Sequence, residues 1–302
     1  MEDIVISEII NIDSASLSNL SPALKNEGER IEKMVDGEQN NQTLGYIEEQ
    51  QISAVGLSWH NPLHPYAEYI RIYLNQTNSR YSEIGSSLLD RMNSCADRSK
   101  VTHLQYPLVS TEHKMTELLK TNGFSLFRRT FEPTLEINKL KNRYKGSDSH
   151  PRTMGLKEVM NNRTLTEELF ELMMTVYDEG HTDNPRKQRT IAEEQEVYFS
   201  YPIDKTASLV GYSEDGKIDS YIIVFEPQGQ TVEMGWVGAS NKRETLALKQ
   251  LFSSVCDVLQ KRGINYIEPE IDSTDYYLYH ILFSNLDYEK MESWDAYKRN
   301  LH

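Results

Sequence analysis

Short alternating runs of hydrophobic and polar residues occur along the whole chain, separated by stretches with helical spacing. The segment 44–59 (LGYIEEQQISAVGLSW) has alternating apolar residues on both sides of a polar tip, which predicts two strands joined by a turn. The segment 210–225 (VGYSEDGKIDSYIIVF) shares its Gly-Tyr start, its acidic tip and its second strand. After each predicted hairpin come another extended run, a charged loop, an apolar-periodic helix with one cysteine, a further strand and a last helix.

The matched features of the two halves keep an offset of about 165 residues, as between Tyr46 and Tyr212. We interpret this as an internal duplication of a mixed α/β unit, in which mainly antiparallel strands are followed by a helix and a fifth strand. The basic, apolar-poor segment 138–153 separates the halves. We expect domains at 1–140 and 154–302, with a linker at 141–153.

Composition narrows the class of protein. The chain has 302 residues, 38% of them hydrophobic and 10% aromatic, as in a folded globular protein. No apolar run approaches the roughly 18 residues that a membrane span needs, and the acidic N-terminus does not resemble a signal peptide. Two cysteines form neither a disulfide framework nor a metal motif. We therefore expect a cytoplasmic protein with no metal, no membrane contact and reduced thiols.

The formal net charge of −14 bears on the partners. It argues against a nucleic acid, because binding a phosphate backbone needs a basic face. An acidic cleft would suit a cationic small substrate, and general solubility is the alternative explanation. The sequence leaves a homodimer open.

One loop carries candidate chemistry. The stretch NSRYSEIGSSLL (78–89) follows the extended run AEYIRIYLN and predicts a helix that begins just after a strand. The first amides of such a helix can bind an anion. The alternative is an ordinary connection with Ser82 as the N-cap.

The order of elements and this loop resemble the GCN5-related N-acetyltransferase (GNAT) superfamily over most of both halves. The resemblance implies an α/β fold of the α+β mixed-sheet type: two tandem GNAT-like domains, each with a mostly antiparallel mixed sheet flanked by helices. It also implies acetyl-CoA as the cofactor. Arg80 falls on the basic position of the family's pyrophosphate loop, Ile84 on its apolar position and Gly85 on its final small position, while Glu83 replaces the central glycine.

The cofactor-binding residues that the resemblance implies come from both halves. In the first half, the strand-four residues that pair with the pantetheine arm and the pyrophosphate loop are Tyr73, Leu74, Asn75, Arg80, Tyr81, Ser82, Glu83, Ile84, Gly85 and Ser86. In the second half, Trp236 and Val237 align with strand four, and the loop runs from Lys242 to Ala247 without a glycine.

The family's catalytic positions are only partly kept. The usual general-acid tyrosine is replaced by Leu119 in one half and Phe283 in the other. The resemblance implies that Glu68 is a base that acts through water. The alternative is that Glu68 is an ordinary exposed glutamate of the strand. The same two interpretations apply to Glu233 in the second half. Tyr106 would be a substitute acid or a packing residue, and the same holds for Tyr279.

Two further segments are open to interpretation. His60 and His64 have helical ligand spacing, but Pro62 and Pro65 prevent a regular helix, so we expect a loop near the acceptor entrance. The segment 177–190 (YDEGHTDNPRKQRT) is either a solvated surface loop or a wall of the acceptor site.

The resemblance thus predicts an N-acetyltransferase that moves an acetyl group from acetyl-CoA to a primary amine of a small, perhaps cationic, substrate, with the first half as the better cofactor site. The alternative is a non-catalytic acyl-CoA-binding or regulatory protein of the same fold. A third interpretation makes the second half the active one.

Overall fold

A computed structural model describes residues 8–143, 152–242 and 245–301, so most of the predicted linker 141–153 lies outside the described residues. The chain forms two compact units. The first contains the chain up to Arg128, Asp183–Lys187 and the chain from Trp294; the second contains Arg129–Thr182 and Gln188–Ser293. The predicted segments 1–140 and 154–302 stay a prediction about which parts fold independently.

In its described residues, the first unit is built around a mixed sheet with three α-helices. Its elements are β1 (Glu8–Asn11), α1 (Gly28–Val35), β2 (Asn40–Glu48), β3 (Gln51–His60), β4 (Ala67–Leu74), α2 (Tyr81–Cys95), β5 (His103–Val109), α3 (His113–Thr121), β6 (Ser125–Phe131) and β14 (Trp294–Asn300). The strand order is β1-β2-β3-β4-β5-β14-β6. All neighbours from β1 to β4 are antiparallel, and β5 is parallel to β4.

The predicted hairpin at 44–59 is present as β2 and β3. Its turn residues Glu49 and Gln50 both have positive φ angles, 49° and 66°. A two-residue turn of this kind matches the right-handed twist of the strands that it joins.

The core of the first unit follows the strand and helix periodicities. Alternate residues of β4, Ile70, Ile72 and Leu74, pack in one cluster with the apolar side of α2. That side consists of Tyr81, Ile84, Leu88, Leu89 and Met92, which have the spacing of one helix face. The opposite face of the sheet carries a second cluster that includes Tyr73.

The second unit repeats the plan with a sheet of order β7-β12-β11-β10-β9-β8. Its elements are β7 (Leu135–Glu136), α4 (Ile137–Arg143), β8 (Arg152–Gly155), α5 (Leu156–Met160), α6 (Arg163–Gly180), α7 (Ile191–Phe199), β9 (Leu209–Tyr212), β10 (Ile218–Val224), β11 (Thr231–Ala239), α8 (Thr245–Lys261), β12 (Tyr266–Pro269) and β13 (Ile271–Asp272), followed by a π-helical segment, Tyr276–Leu282. Strand β12 is parallel to β11, and β9 and β10 form the second predicted hairpin.

No helix among the described residues is long and apolar enough to cross a membrane.

Candidate acyl-transfer openings

Strands β4 and β5 of the first unit separate after a short parallel ladder. Three rungs join them, and the last pairs Tyr69 with Gln105. Beyond it, among the residues that the structure describes, β4 continues to Leu74 paired only with β3, and β5 continues to Val109 paired only with β14. Two strand edges that would normally bond to each other therefore diverge, and their backbone groups face an opening.

Tyr106, the predicted substitute acid, fills part of this opening. Its hydroxyl group accepts a hydrogen bond from the amide of Ile72 (3.1 Å) and donates one to the Ile72 carbonyl (3.3 Å). Burial raises the pKa of Tyr106 above its ordinary value. The hydroxyl group thus serves the backbone of β4.

Tyr73 and Leu74, two of the residues predicted to bind the pantetheine arm, direct their backbone amides to opposite edges of β4. The amide of Ile72 points toward the opening, and because backbone direction alternates along a strand, the amide of Leu74 points the same way. The amide of Tyr73 points toward β3. The side chain of Tyr73 lies on the far face, where its hydroxyl group donates to the sulfur of Met34 (3.3 Å). Asn75 begins the turn, and its side chain accepts from the amide of Thr77 (3.0 Å).

The turn delivers the chain into the N-terminus of α2. Arg80 is the N-cap residue and has no side-chain cap. Its amide donates to the side chain of Asn78 (2.7 Å), and the amide of Tyr81 donates to the Asn78 carbonyl (3.1 Å). Within the described part of the chain, the next two amides, those of Ser82 and Glu83, have no acceptor. The predicted Ser82 cap is therefore wrong, because Arg80 takes that position, and the helix end has the amides that an anion needs.

The side chain of Arg80 is held by carboxylates. It forms a bidentate pair with Glu83, with Nε at 2.9 Å from Oε2, and a second ion pair with Glu48 at 2.8 Å. The Tyr46 hydroxyl group accepts from it at 3.1 Å. The hydrogen bond from Arg80 lowers the pKa of Glu83. Glu83, the residue that departs from the family loop, therefore already occupies the guanidinium group.

The remaining loop residues face the core or α3. Tyr81, Ile84 and Gly85 are buried. A Cβ atom at Gly85 would lie 2.4 Å from a methyl group of Leu118 on α3, so close helix packing alone accounts for this glycine. Ser86 accepts a hydrogen bond from Asn122 (2.9 Å).

Glu68, the predicted base, is buried at the start of β4, with 3% of its surface exposed. Asn41 donates to its Oε1 at 2.7 Å. Its Oε2 is also buried and has no hydrogen-bond partner among the described residues. The alternative of an exposed strand glutamate is therefore wrong.

A polar layer that sequence reasoning missed covers the other face of the sheet. Asn184 is 2% exposed and donates to the Tyr69 hydroxyl group (2.8 Å), while its carbonyl contacts the ring nitrogen Nδ1 of His64 (2.8 Å). The segment Asp183–Lys187 is thus built into the first unit, and a purely solvated loop at 177–190 is wrong for these residues. A separation of 115 residues leaves no local signal for this contact. Among the described residues, no group of three or more metal-ligating side chains exists.

The second unit contains a matching opening. Four parallel rungs join β11 and β12, and the last pairs Met234 with Pro269. The amide of Ser240 donates to β10 (2.7 Å), so alternation turns the backbone groups of Val237 and Ala239 toward the opening. The hydroxyl group of Tyr277 donates to the Ala239 carbonyl at 2.6 Å. Burial raises the pKa of Tyr277 to about 12.

The loop of the second opening is only partly described. Lys242 forms an ion pair with Glu179 (3.0 Å) and lies over the ring of Tyr276 (5.3 Å). Residues 243 and 244 lie outside the described residues, and α8 begins at Thr245.

No family model and no curated protein matches the chain. Solved structures do match. A GCN5-related N-acetyltransferase from Sphaerobacter thermophilus has a TM-score of 0.51 at 13% identity, over 98% of this chain and 96% of that chain. A tandem GNAT protein from the clavulanic acid biosynthesis pathway has a TM-score of 0.48 at 11% identity, over 98% and 99%. The predicted mixed α/β architecture with the GNAT fold is therefore confirmed.

Proposed function

We propose that this protein transfers an acyl group, with acetyl as the expected case, from an acyl-CoA to an amine of a small acceptor. The observation that carries the proposal is the pair of openings, each formed where a short parallel ladder ends beside the start of a helix. Strand amides at such an edge can pair with an acyl-CoA chain, and helix amides can hold its phosphates.

The reaction needs a neutral amine, which attacks the thioester carbonyl. A C–N bond forms and the C–S bond breaks; a base takes the proton of the amine, and the leaving thiolate takes a proton. Backbone N–H groups that point into the opening stabilise the oxyanion, because they are already oriented and need no reorganisation.

The two units offer different groups for this chemistry. In the first, the residues proposed for the cofactor are Tyr73–Asn75 and the Arg80–Ser86 loop, with Glu68 as base and Tyr106 as acid. In the second, the matching position of Ile72 is Val237, and Glu270 stands where the first unit has Tyr106, one residue past the last rung of the parallel ladder. No tyrosine thus stands at that position beside the amide of Val237, and the Tyr277 hydroxyl group lies at the same edge.

We therefore infer that turnover belongs to the second opening, with Val237 and Lys242 on the cofactor and Tyr277 as proton donor. For the first unit, a non-catalytic cofactor-binding role is the second candidate. The Tyr106 hydroxyl group on Ile72 and the carboxylates on Arg80 count against turnover there, while the amides of Ser82 and Glu83 at the start of α2 can still hold phosphates.

Calorimetric titration of acetyl-CoA into the wild-type protein tests the proposal. The variants Arg80→Glu and Lys242→Glu reverse one partly exposed charge at each opening, and Lys100→Glu, an exposed position in the first unit, is the matched control. We expect binding that Lys242→Glu weakens about tenfold or more and Lys100→Glu leaves unchanged.

If acetyl-CoA binding is lost in Arg80→Glu and kept in Lys242→Glu, the cofactor binds in the first unit. Release of free CoA on adding an amine then separates a transferase from a binding protein. If acetyl-CoA does not bind to the wild-type protein, the proposed function is wrong.

A further inference from the structure

Four aromatic rings meet on one face of the second unit's sheet. We call Tyr198, Tyr201, Phe225 and Trp236 the Trp236 cluster. Tyr201 and Phe225 are nearly parallel, at 7° and 5.7 Å between centroids. Trp236 stands perpendicular to both, at 5.3 Å and 5.4 Å. Tyr198 adds a fourth ring at 4.3 Å from Trp236.

The elements explain why these rings converge. Tyr198 closes the buried side of α7, and Tyr201 follows in the turn after the helix. Gly235 lets the Phe225 ring lie against β11, because a Cβ atom there would come within 2.8 Å of it. A side chain at that position would force the Phe225 ring to shift.

The cluster is open to solvent at one end. Tyr201 is 40% exposed and Phe199, at the end of α7, is 37% exposed. A stacked pair of rings whose outer member, Tyr201, is 40% exposed can take a third ring in the same geometry, and such contacts contribute beyond the buried area.

The position of the cluster links it to the second opening. Trp236 directly precedes Val237 and lies two residues beyond the last rung of the parallel ladder at Met234. The ring of Trp236 belongs to the α6 and α7 side of the sheet, while the backbone of Val237 faces the opening. If an acceptor amine enters the opening from the side of α6 and α7, the rest of the acceptor molecule lies over the Trp236 cluster.

Charge decides between a ring and a second cation as the part that lies there. The ammonium group of Lys205 already lies 5.6 Å from the centre of the Phe199 ring. A second ammonium group beside Lys205 would be repelled, whereas a neutral ring would not.

We propose that the Trp236 cluster is a subsite for an arylalkyl amine, whose aromatic ring stacks on Tyr201 while its amine reaches the second opening. This rests on the proposed function for the role of the amine, but the ring-binding surface is tested independently of acyl-CoA.

Direct binding of 2-phenylethylamine and 2-cyclohexylethylamine, measured calorimetrically without cofactor, is the test. The two probes have the same charge and similar size, and only one has an aromatic ring. We expect the phenyl probe to bind about three- to tenfold tighter. Tyr201→Leu should abolish this preference. Tyr266→Leu, at a 38% exposed tyrosine of the same unit, should keep it.

Equal binding of both probes, binding of neither, or a preference that survives Tyr201→Leu would overturn the subsite. A preference that needs Tyr201 in a protein that does not bind acetyl-CoA would leave the ring site standing and remove the proposed function. The two failures are therefore distinguishable.

Discussion

The hydroxyl group of Tyr106 lies between two diverging strands and bonds both backbone groups of Ile72, at 3.1 Å from the amide nitrogen and 3.3 Å from the carbonyl oxygen. Tyr106 is 1% exposed. In this position one side chain satisfies both backbone groups of a strand edge that faces the opening.

Removing that hydroxyl group should destabilise the protein. Tyr106→Phe leaves a buried N–H and a buried C=O without partners, at a cost of about 1–3 kcal/mol. Urea denaturation measures the loss. Tyr73→Phe is the control, because the Tyr73 hydroxyl group bonds only to a sulfur atom, a weak acceptor, among the described residues. An equal loss in both variants would contradict the special role of Tyr106.

Gly85→Ala should destabilise the first unit through overpacking against α3. The new methyl group would meet Leu118 at 2.4 Å, and forcing an extra carbon into a packed core costs about 1–3 kcal/mol. The better helix propensity of alanine offsets this loss of stability by up to about 1 kcal/mol. A double-mutant cycle with Leu118→Val checks the cause, since the smaller valine should restore most of the stability. If the double variant loses the sum of the two single losses, the contact is not the reason.

Glu83→Gln should strengthen acetyl-CoA binding by the first unit. The change removes a negative charge beside the expected phosphate position and releases Arg80 from its bidentate pair, while Glu48 still holds the guanidinium group. We expect affinity to rise about three- to fivefold at low salt and less at high salt. Titration of the Lys242→Glu background isolates the first unit. Glu117→Gln, an exposed charge on α3, is the matched control, and an equal gain there would show a general charge effect.

Asp275 should make stability depend on pH between about 4 and 6. Burial raises its pKa from 3.8 to about 6, although its carboxylate accepts the amides of Tyr277 and Leu278. The folded state therefore binds the proton more tightly than the unfolded chain. Its contribution is fully present below about pH 4 and is lost as the pH rises through 6, by at most about 3 kcal/mol.

The variant Asp275→Asn tests this contribution of the Asp275 charge to stability, because asparagine can still accept the helix amides but cannot ionise. We expect the variant to gain stability relative to wild type between pH 4 and pH 7, in denaturation curves at both values. A constant difference across that range would show that Asp275 titrates normally.

The hydrophobic periodicity and the turn residues of the chain predicted much of the fold. The two hairpins, a helix that begins within 78–89 and the repeated order of elements follow from local alternation and from turn residues, which act within a few positions. The GNAT fold was predicted from that order and is confirmed. The assignment of Tyr73–Asn75 and Val237 to a cofactor stays a prediction.

Partners far apart along the chain were decided by the tertiary structure alone. Glu48, 32 residues from Arg80, shares its guanidinium group, and Asn184, 115 residues from Tyr69, caps its hydroxyl group. Gly85 matched a phosphate loop by its type, yet its neighbour is Leu118 on another helix. Local sequence determines whether a segment is strand or helix, since that preference arises from neighbouring residues. Which side chains meet depends on register and packing across the whole unit, and no short pattern in the chain contains that information.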